Sequence, residues 1–454
     1  MAPHERFRFR DSDSLQEKAQ ALGLDLPFST DIDVLYQPVA IAGKTAANRI
    51  AVLPMECADA GPDGSPSELT FRRYKRFARG GSGLIEFEAT AVVPEGRANS
   101  RQLALTPGNV DAFKRLVEET RRAGQKSPVT GRAPLLFIQL THSGRFAKGD
   151  RGSAPVIACH NPYLDGPLGI AADKALLSDA ELDKLMESYA AAARLAAAAG
   201  FDGVDIKACH GYLVSELLAS FTRANSRYGG PLADRSRFLL ETCRRVAREV
   251  PGIITTSRLS VYDGLAYPYG FGVSRNDVKK ADLTEPRTVI EGLQGSGVPF
   301  LSITLGIPFL NPHLGRPYSR GVHGASPVDE HPLEGMDRLI RLTGELQAGF
   351  PGLPLVGAGY SVLHKFWPNV AAGAVKQGKV ALVGMGRGAL AYPDAPMDLA
   401  ARGKLDPDAV CTSCSRCSQM LRDGVPVGCP VRDKEAYGDE YKAGRKKARR
   451  EDRA

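Results

Sequence analysis

Short apolar runs alternate along the chain with longer stretches whose apolar positions recur at helical spacing. Eight runs read as strands: 50–53, 84–87, 135–138, 204–206, 253–256, 300–303, 353–356 and 380–383. Between them helical patterns cover 112–123, 179–199, 235–250 and 285–293. The longest opens at Asp179 or Ser178, either a good N-cap. Eight strands with helices between them are what a (β/α)8 TIM barrel requires. A doubly wound open sheet is the rival. It would show fewer strands and a glycine-rich dinucleotide turn after the first, and neither is present. The expected organisation is an N-terminal extension over 1–33, a barrel over 34–395 and a cysteine-rich appendage with a basic tail over 396–454.

Composition narrows the class. With 454 residues, 43% of them hydrophobic, the chain can bury a large core. The net charge of +8 owes much to the run 442–450. That run carries no interleaved aromatic residue and no nucleic-acid motif accompanies it, so it reads as a solvated tail. No apolar run is long enough to span a bilayer, and the first residues lack the apolar core of a signal peptide. Eight cysteines without an export signal point to a cytoplasmic protein whose thiols are free for metal, not to a disulfide framework.

In a barrel of this kind the residues following each strand face the catalytic mouth. The fourth strand gives the richest such segment, with Lys207, His210 and Tyr212 inside six residues. Three groups able to donate hydrogen bonds or move protons fit an acid–base or redox site better than a structural role. The first strand gives Pro54, Met55 and Glu56, the second Ala89, the third Gln139 and the fifth Arg258. Gln139 can bond an amide-like ring edge, and Arg258 can hold an anion. Together they suit an isoalloxazine whose reduced, anionic form the arginine would stabilise. The plainer readings are a barrel-interior amide for Gln139 and an internal ion pair for Arg258. After the seventh and eighth strands, Gly357, Gly359 and Gly386 let backbone N–H groups approach a phosphate, and Arg387 adds charge.

The order of these pieces resembles the old yellow enzyme family of FMN-dependent oxidoreductases. The matching segments are Asn48-Arg49-Ile50, Leu53-Pro54-Met55, Glu88-Ala89, Gln139 through Arg145, and His210-Gly211-Tyr212-Leu213. Tyr228-Gly229-Gly230, Arg235-Ser236-Arg237-Phe238, Arg258-Leu259-Ser260 and Met385-Gly386-Arg387 complete the match. The resemblance implies a TIM barrel with non-covalent FMN, reduced by NAD(P)H, that passes hydride from flavin N5 to a small-molecule substrate. It implies that Pro54, Met55, Ala89, Gln139 and Arg258 contact the flavin, and that Gly359, Gly386 and Arg387 hold its phosphate. Glu56 stands where relatives carry a threonine or cysteine that tunes the flavin. A carboxylate there opposes flavin reduction unless it is paired or protonated.

The substrate motif departs from the family. His210 and Tyr212 match its second and third positions, the substrate-oxygen donor and the proton donor, but Lys207 replaces the usual histidine. Lys207 is either a charged donor to a substrate oxygen or the partner of Glu56 or another acid.

Cys411, Cys414 and Cys417 are followed after eleven residues by Cys429 and a proline, a spacing closer to cluster ligation than to structural zinc. The segment is similar to the 4Fe–4S region of bacterial dienoyl-CoA reductases and trimethylamine dehydrogenases. Those carry three residues between the second and third cysteines, where this chain has two, so zinc remains the alternative. Cys57, Cys159 and Cys243 are isolated and read as structural. No GxGxxG motif follows the cysteines. Electrons are expected from NAD(P)H directly, or through the cluster from a separate electron-transfer protein. The activity expected is reduction of a C=C bond conjugated to a carbonyl. The alternative is dehydrogenation of an amine or alicyclic substrate.

Overall fold

The computed structural model describes residues 5–149, 152–325 and 327–451. Residues 1–4 of the extension and 452–454 of the basic tail lie outside the described residues. Eight parallel strands close into a barrel: β1 (Ile50–Val52), β2 (Leu84–Ala91), β3 (Leu135–Thr141), β4 (Gly203–Ile206), β5 (Ile254–Ser260), β6 (Leu301–Thr304), β7 (Leu355–Gly357) and β8 (Leu382–Met385). They are hydrogen-bonded in chain order around the ring, with β8 returning to β1 through Gly384 opposite Ala51. Each of the eight runs anticipated from the sequence is a barrel strand. β2, β3 and β5 run three or four residues further than their apolar cores, so Ala89, Gln139 and Arg258 lie within strands rather than after them.

An outer helix follows each of the first seven strands: α1 (Glu68–Arg79), α2 (Val110–Gln125), α3 (Asp179–Ala198), α4 (Arg237–Glu249), α5 (Thr284–Gly295), α6 (Pro332–Gly349) and α7 (Trp367–Lys376). The start of α3 is set by Ser178, whose hydroxyl accepts from the Glu181 N–H while the Glu181 carboxylate accepts from the Ser178 N–H. The inward face of α3 is Leu182, Leu185, Met186, Tyr189 and Ala193, one helical stripe against the barrel wall.

The barrel has a closed and an open end. At the amino ends of the strands, the hairpin 39–46 inserts Val39, Ile41 and Ala46 beneath Leu84, Leu135, Phe137 and Phe300. Phe137 and Phe300 meet edge to face at 5.0 Å, a geometry that suits their quadrupoles. Gly203 makes room for this floor, since a Cβ there would sit 2.2 Å from the Phe137 ring. With the floor plugged by apolar side chains, chemistry is left to the carboxyl ends.

The cysteine segment packs against the same body. The Val427 N–H donates to the Cys57 carbonyl at 2.7 Å, just beyond β1. Asp433 accepts from Arg72 and Arg76 of α1 at 2.6 and 2.9 Å. Val410, Met420, Val427 and Tyr437 are buried in one apolar core with the barrel helices. The basic run falls in a helix, α8 (Lys434–Glu451), where Arg445 pairs with Asp423 at 2.8 Å.

Candidate active site

At the open end, β1 and β4 bring three of the anticipated residues together. The Lys207 ammonium donates to Glu56 Oε1 at 2.6 Å, and the Tyr212 hydroxyl lies 2.8 and 2.9 Å from the two Glu56 oxygens. Lys207 Nζ also sits 3.4 Å from the centre of the Tyr212 ring, over its electron-rich face. Of the two roles open to Lys207, the pairing with Glu56 is the one seen. Burial first, and the Glu56 charge second, hold the Tyr212 hydroxyl well above its ordinary pKa, so it stays protonated.

His210 has φ +67°, a left-handed conformation that costs a side-chain residue roughly 1–3 kcal/mol. The turn aims its ring toward Thr304 at the end of β6, with Nε2 3.5 Å from Oγ1. Burial, then the positive charges of Arg258, Lys207 and Arg316, hold His210 well below the usual histidine range. It is a neutral imidazole, able to donate one hydrogen bond without carrying charge. Phe146 lies 5.7 Å from Tyr212 and 5.6 Å from Phe309, forming an aromatic wall beside the hydroxyl.

Deeper in the mouth, the Gln139 amide donates to Asp205 at 2.6 Å, and Asp205 also accepts the Arg258 backbone N–H at 2.6 Å. Ser302 bonds Glu86 across the barrel. Burial, and then Asp205, raise the Glu86 carboxyl to about 8. Arg258 is buried with Nε and Nη1 lacking any partner. A buried guanidinium with two idle donors is costly unless an acceptor completes it.

The other end of the site lies beyond β7 and β8. Gly359 has φ +95°, and a Cβ there would meet Leu339 at 2.5 Å, so glycine is needed for both conformation and space. Gly357 is equally confined, with a Cβ 2.8 Å from Val380, and Gly386 abuts Met55. Arg387 donates through Nη2 to the Pro317 carbonyl at 2.6 Å, while Nη1 is buried without a partner. Arg316 lies close enough for Arg387 to repel it. Burial and that repulsion pull Arg316 down to about 10. Two guanidinium groups that repel each other and keep idle donors could hold a phosphate.

These orphaned donors, on Arg258 within the barrel and on Arg387 and Arg316 beyond β7 and β8, could hold the anionic groups of FMN. Pro54 and Met55 follow β1, and Ala89 lies within β2. Ala89 is buried beside a slip in the pairing of β2 with β3 between Phe87 and Thr90, and its carbonyl accepts from Gln102 at 2.9 Å. Sequence reasoning passed over Asp205, Glu86, Thr304, Arg316, Phe146 and Phe309. Asp205 and Glu86 break the apolar runs of their strands, a signal for polar groups inside the barrel. Arg316 and Phe309 come from irregular loops that show no such pattern.

Cys411, Cys414, Cys417 and Cys429 come within electrostatic reach of one another. Burial first, with Cys417 and Cys429 among the further causes, raises Cys411 to about 12, and burial with Cys417 and Cys414 raises Cys429 to about 11. Ser413 and Ser415 hold left-handed φ values of +46° and +57°, folding the loop back, and the Ser413 N–H points at Cys411 Sγ, 3.4 Å away. Among the described residues, no three His, Cys, Asp or Glu side chains close on a metal position. Cys57, read as isolated, lies close enough to Cys417 for their charges to interact. Cys209 is fully buried and raised to about 12 by burial, which suits a small core residue.

A closed parallel barrel whose open end carries a protonated tyrosine, a neutral imidazole and idle guanidinium groups fits a TIM-barrel oxidoreductase of the flavin-binding kind. Residues 34–272 match the NADH:flavin oxidoreductase / NADH oxidase family, and the chain belongs to it, the old yellow enzyme family that its motifs resemble. The NADH oxidase of Thermoanaerobacter brockii is 28% identical over 421 residues, covering 90% of this chain and 58% of that protein. The chain thus spans less than two thirds of that relative. Two solved structures show the same fold. A 2-naphthoyl-CoA reductase complex has a TM-score of 0.70 at 19% identity, over 90% of this chain and 58% of that one. The old yellow enzyme homologue of Zymomonas mobilis has a TM-score of 0.60 at 23% identity, over 83% of this chain and 95% of that one.

Proposed function

We propose that the protein is an FMN-dependent NAD(P)H oxidoreductase that reduces a C=C bond conjugated to a carbonyl. The observation that carries this reading is the pairing, at one strand end, of a neutral His210 with a Tyr212 kept protonated. FMN, when bound, supplies hydride taken from NAD(P)H. His210 donates to the substrate carbonyl oxygen and draws charge toward it, and Tyr212 gives its proton to the α-carbon. Lys207 is fixed on Glu56 and offsets the carboxylate beside the ring. The aromatic pair Phe146 and Phe309 favours a flat, apolar substrate body.

Anaerobic addition of NADH or NADPH should bleach the flavin absorbance of the purified protein, and an enone such as cyclohexenone should restore it. Failure of both steps would refute the assignment.

A second reading is dehydrogenation of an amine or alicyclic substrate. It is favoured by one observation: Tyr212 donates to the Glu56 carboxylate, which can take the hydroxyl proton as the tyrosine oxygen takes one from a substrate. Bleaching by such a substrate without pyridine nucleotide would identify it. Cys411, Cys414, Cys417 and Cys429 are proposed as ligands of a 4Fe–4S cluster, or of zinc, which iron, sulfide and zinc content of protein isolated without oxygen distinguishes. All eight cysteines are free, which suits a reducing, cytoplasmic setting. No helix among the described residues is long and apolar enough to cross a membrane.

A further inference from the structure

The reduction proposed above leaves a proton to be replaced. When hydride reaches the β-carbon, the electron pair left at the α-carbon takes the Tyr212 proton, breaking O–H as C–H forms. The tyrosinate so made would face the Glu56 carboxylate at 2.8 and 2.9 Å, with the Lys207 ammonium placed against both. Two anions in contact inside a protein repel strongly, and one ammonium cannot fully offset both. Tyr212 is therefore a poor acid while Glu56 is charged and a good one when Glu56 carries a proton.

We infer that Glu56 is the proton reservoir of Tyr212, taking protons from water and passing them to the tyrosine oxygen on each turnover. The inference rests on the proposed reduction and on geometry that a threonine or cysteine at this position could not supply. Glu56 touches the tyrosine oxygen with both of its own. It keeps 14% of its side chain open to solvent, whereas Lys207 keeps 3%, so of the two groups held against Tyr212 the carboxylate is the one water reaches. Lys207 is the positioning residue: its ammonium pins Oε1 and lies under the tyrosine ring, holding the hydroxyl against the carboxylate. Protons and electrons balance as one hydride from the pyridine nucleotide and one proton from water per C=C bond reduced. Run backward, the same path carries a proton from substrate through Tyr212 to Glu56 and out. The proton on Glu56 thereby decides which direction the site is ready for.

The test uses the flavin-loaded full chain and Glu56→Gln, which keeps an acceptor for Tyr212 but cannot relay protons, with Glu56→Asp as the conservative variant. Reoxidation by ferricyanide, which needs no carbon protonation, is followed in each variant alongside reaction with cyclohexenone, so that any change Glu56→Gln makes at the flavin itself cancels in the ratio of the two rates. Over repeated turnovers with NAD(P)H the cyclohexenone rate relative to ferricyanide should fall at least about tenfold in Glu56→Gln, because Tyr212 can give the proton it holds but is not refilled, and it should show a larger solvent isotope effect; the loss is smaller than the roughly hundredfold or more of the general acid itself. Glu56→Asp should recover part of the loss. A wild-type ratio of enone to ferricyanide turnover in Glu56→Gln, with an unchanged isotope effect, would overturn the inference.

If the wild-type flavin is reduced but no enone reoxidises it, the proposed reaction fails and the relay is judged separately. Tyrosinate absorbance of Tyr212, isolated by subtracting Tyr212→Phe backgrounds, should then appear at lower pH in Glu56→Gln than in wild type. Glu56, Cys209 and Lys207 are the ionisable groups against that hydroxyl. No change in Tyr212 ionisation would overturn the coupling as well.

Discussion

Arg387 shows how a single side chain reports on what the site holds. It is buried, spends one nitrogen on the Pro317 carbonyl and leaves Nη1 idle beside a second, repelled guanidinium. A bound phosphate resolves both costs at once. Arg387→Ala should therefore weaken FMN binding by the value of a charge-assisted hydrogen bond, about 1.5–3 kcal/mol, or roughly ten- to a hundredfold in Kd. Quenching of flavin fluorescence on titration into apoprotein measures it. An unchanged Kd would place the phosphate elsewhere. Lys207 and Glu56 teach a complementary lesson. Each is a departure from the family pattern, and the two departures are one feature, since the lysine stands where its charge meets the carboxylate.

At the scale of elements, the strands carry a polar layer through the barrel interior, and its cost has a sign. Glu86 on β2 is raised to about 8, chiefly by burial and then by Asp205 on β4. A carboxyl whose folded pKa lies above its unfolded value, about 4.3, binds its proton more tightly in the native state. The stability this contributes is complete below that unfolded value and is lost as pH rises toward 8. The flavin-free protein should accordingly lose melting temperature between about pH 5 and 8, and Glu86→Gln should flatten that slope. Glu88, raised to about 7, and Asp263, raised to about 6, act in the same sense, so some slope will remain. A slope identical in Glu86→Gln and wild type would contradict the assignment.

The elements themselves were legible in the chain because strands buried on both faces leave continuous apolar runs, and helices between them keep a helical stripe. Where those runs ended was less legible. Gln139 and Arg258 are polar residues inside the last turns of β3 and β5, and polarity was read as the end of the strand. Much of the motif that marks the family proves to be scaffold. Asn48 ties the start of β1 to Gly81 and Gly83, and Arg145 is enclosed by Glu216, Asp165 and the Cys159 carbonyl.

For the whole molecule, the same apolar core runs from the barrel helices into the cysteine segment, and the hairpin plug at the floor directs chemistry to the other end. Composition marked the cysteine segment as distinct, but it could not show that Cys57 beyond β1 would face Cys417 or that Asp433 would bridge to α1. Contacts between residues hundreds of positions apart leave no trace in local pattern. The open end is then where the proposed reaction would bring protons, hydride and a flat substrate together. Its central claim is a division of labour in which flavin reduction needs the guanidinium cradle and carbon protonation needs Tyr212. Stopped-flow measurement of the two half-reactions in Tyr212→Phe tests that division directly. Reduction by NAD(P)H should remain near wild type while reoxidation by cyclohexenone falls by about a hundredfold or more, the usual contribution of a general acid. Equal loss of both half-reactions, or of neither, would contradict it.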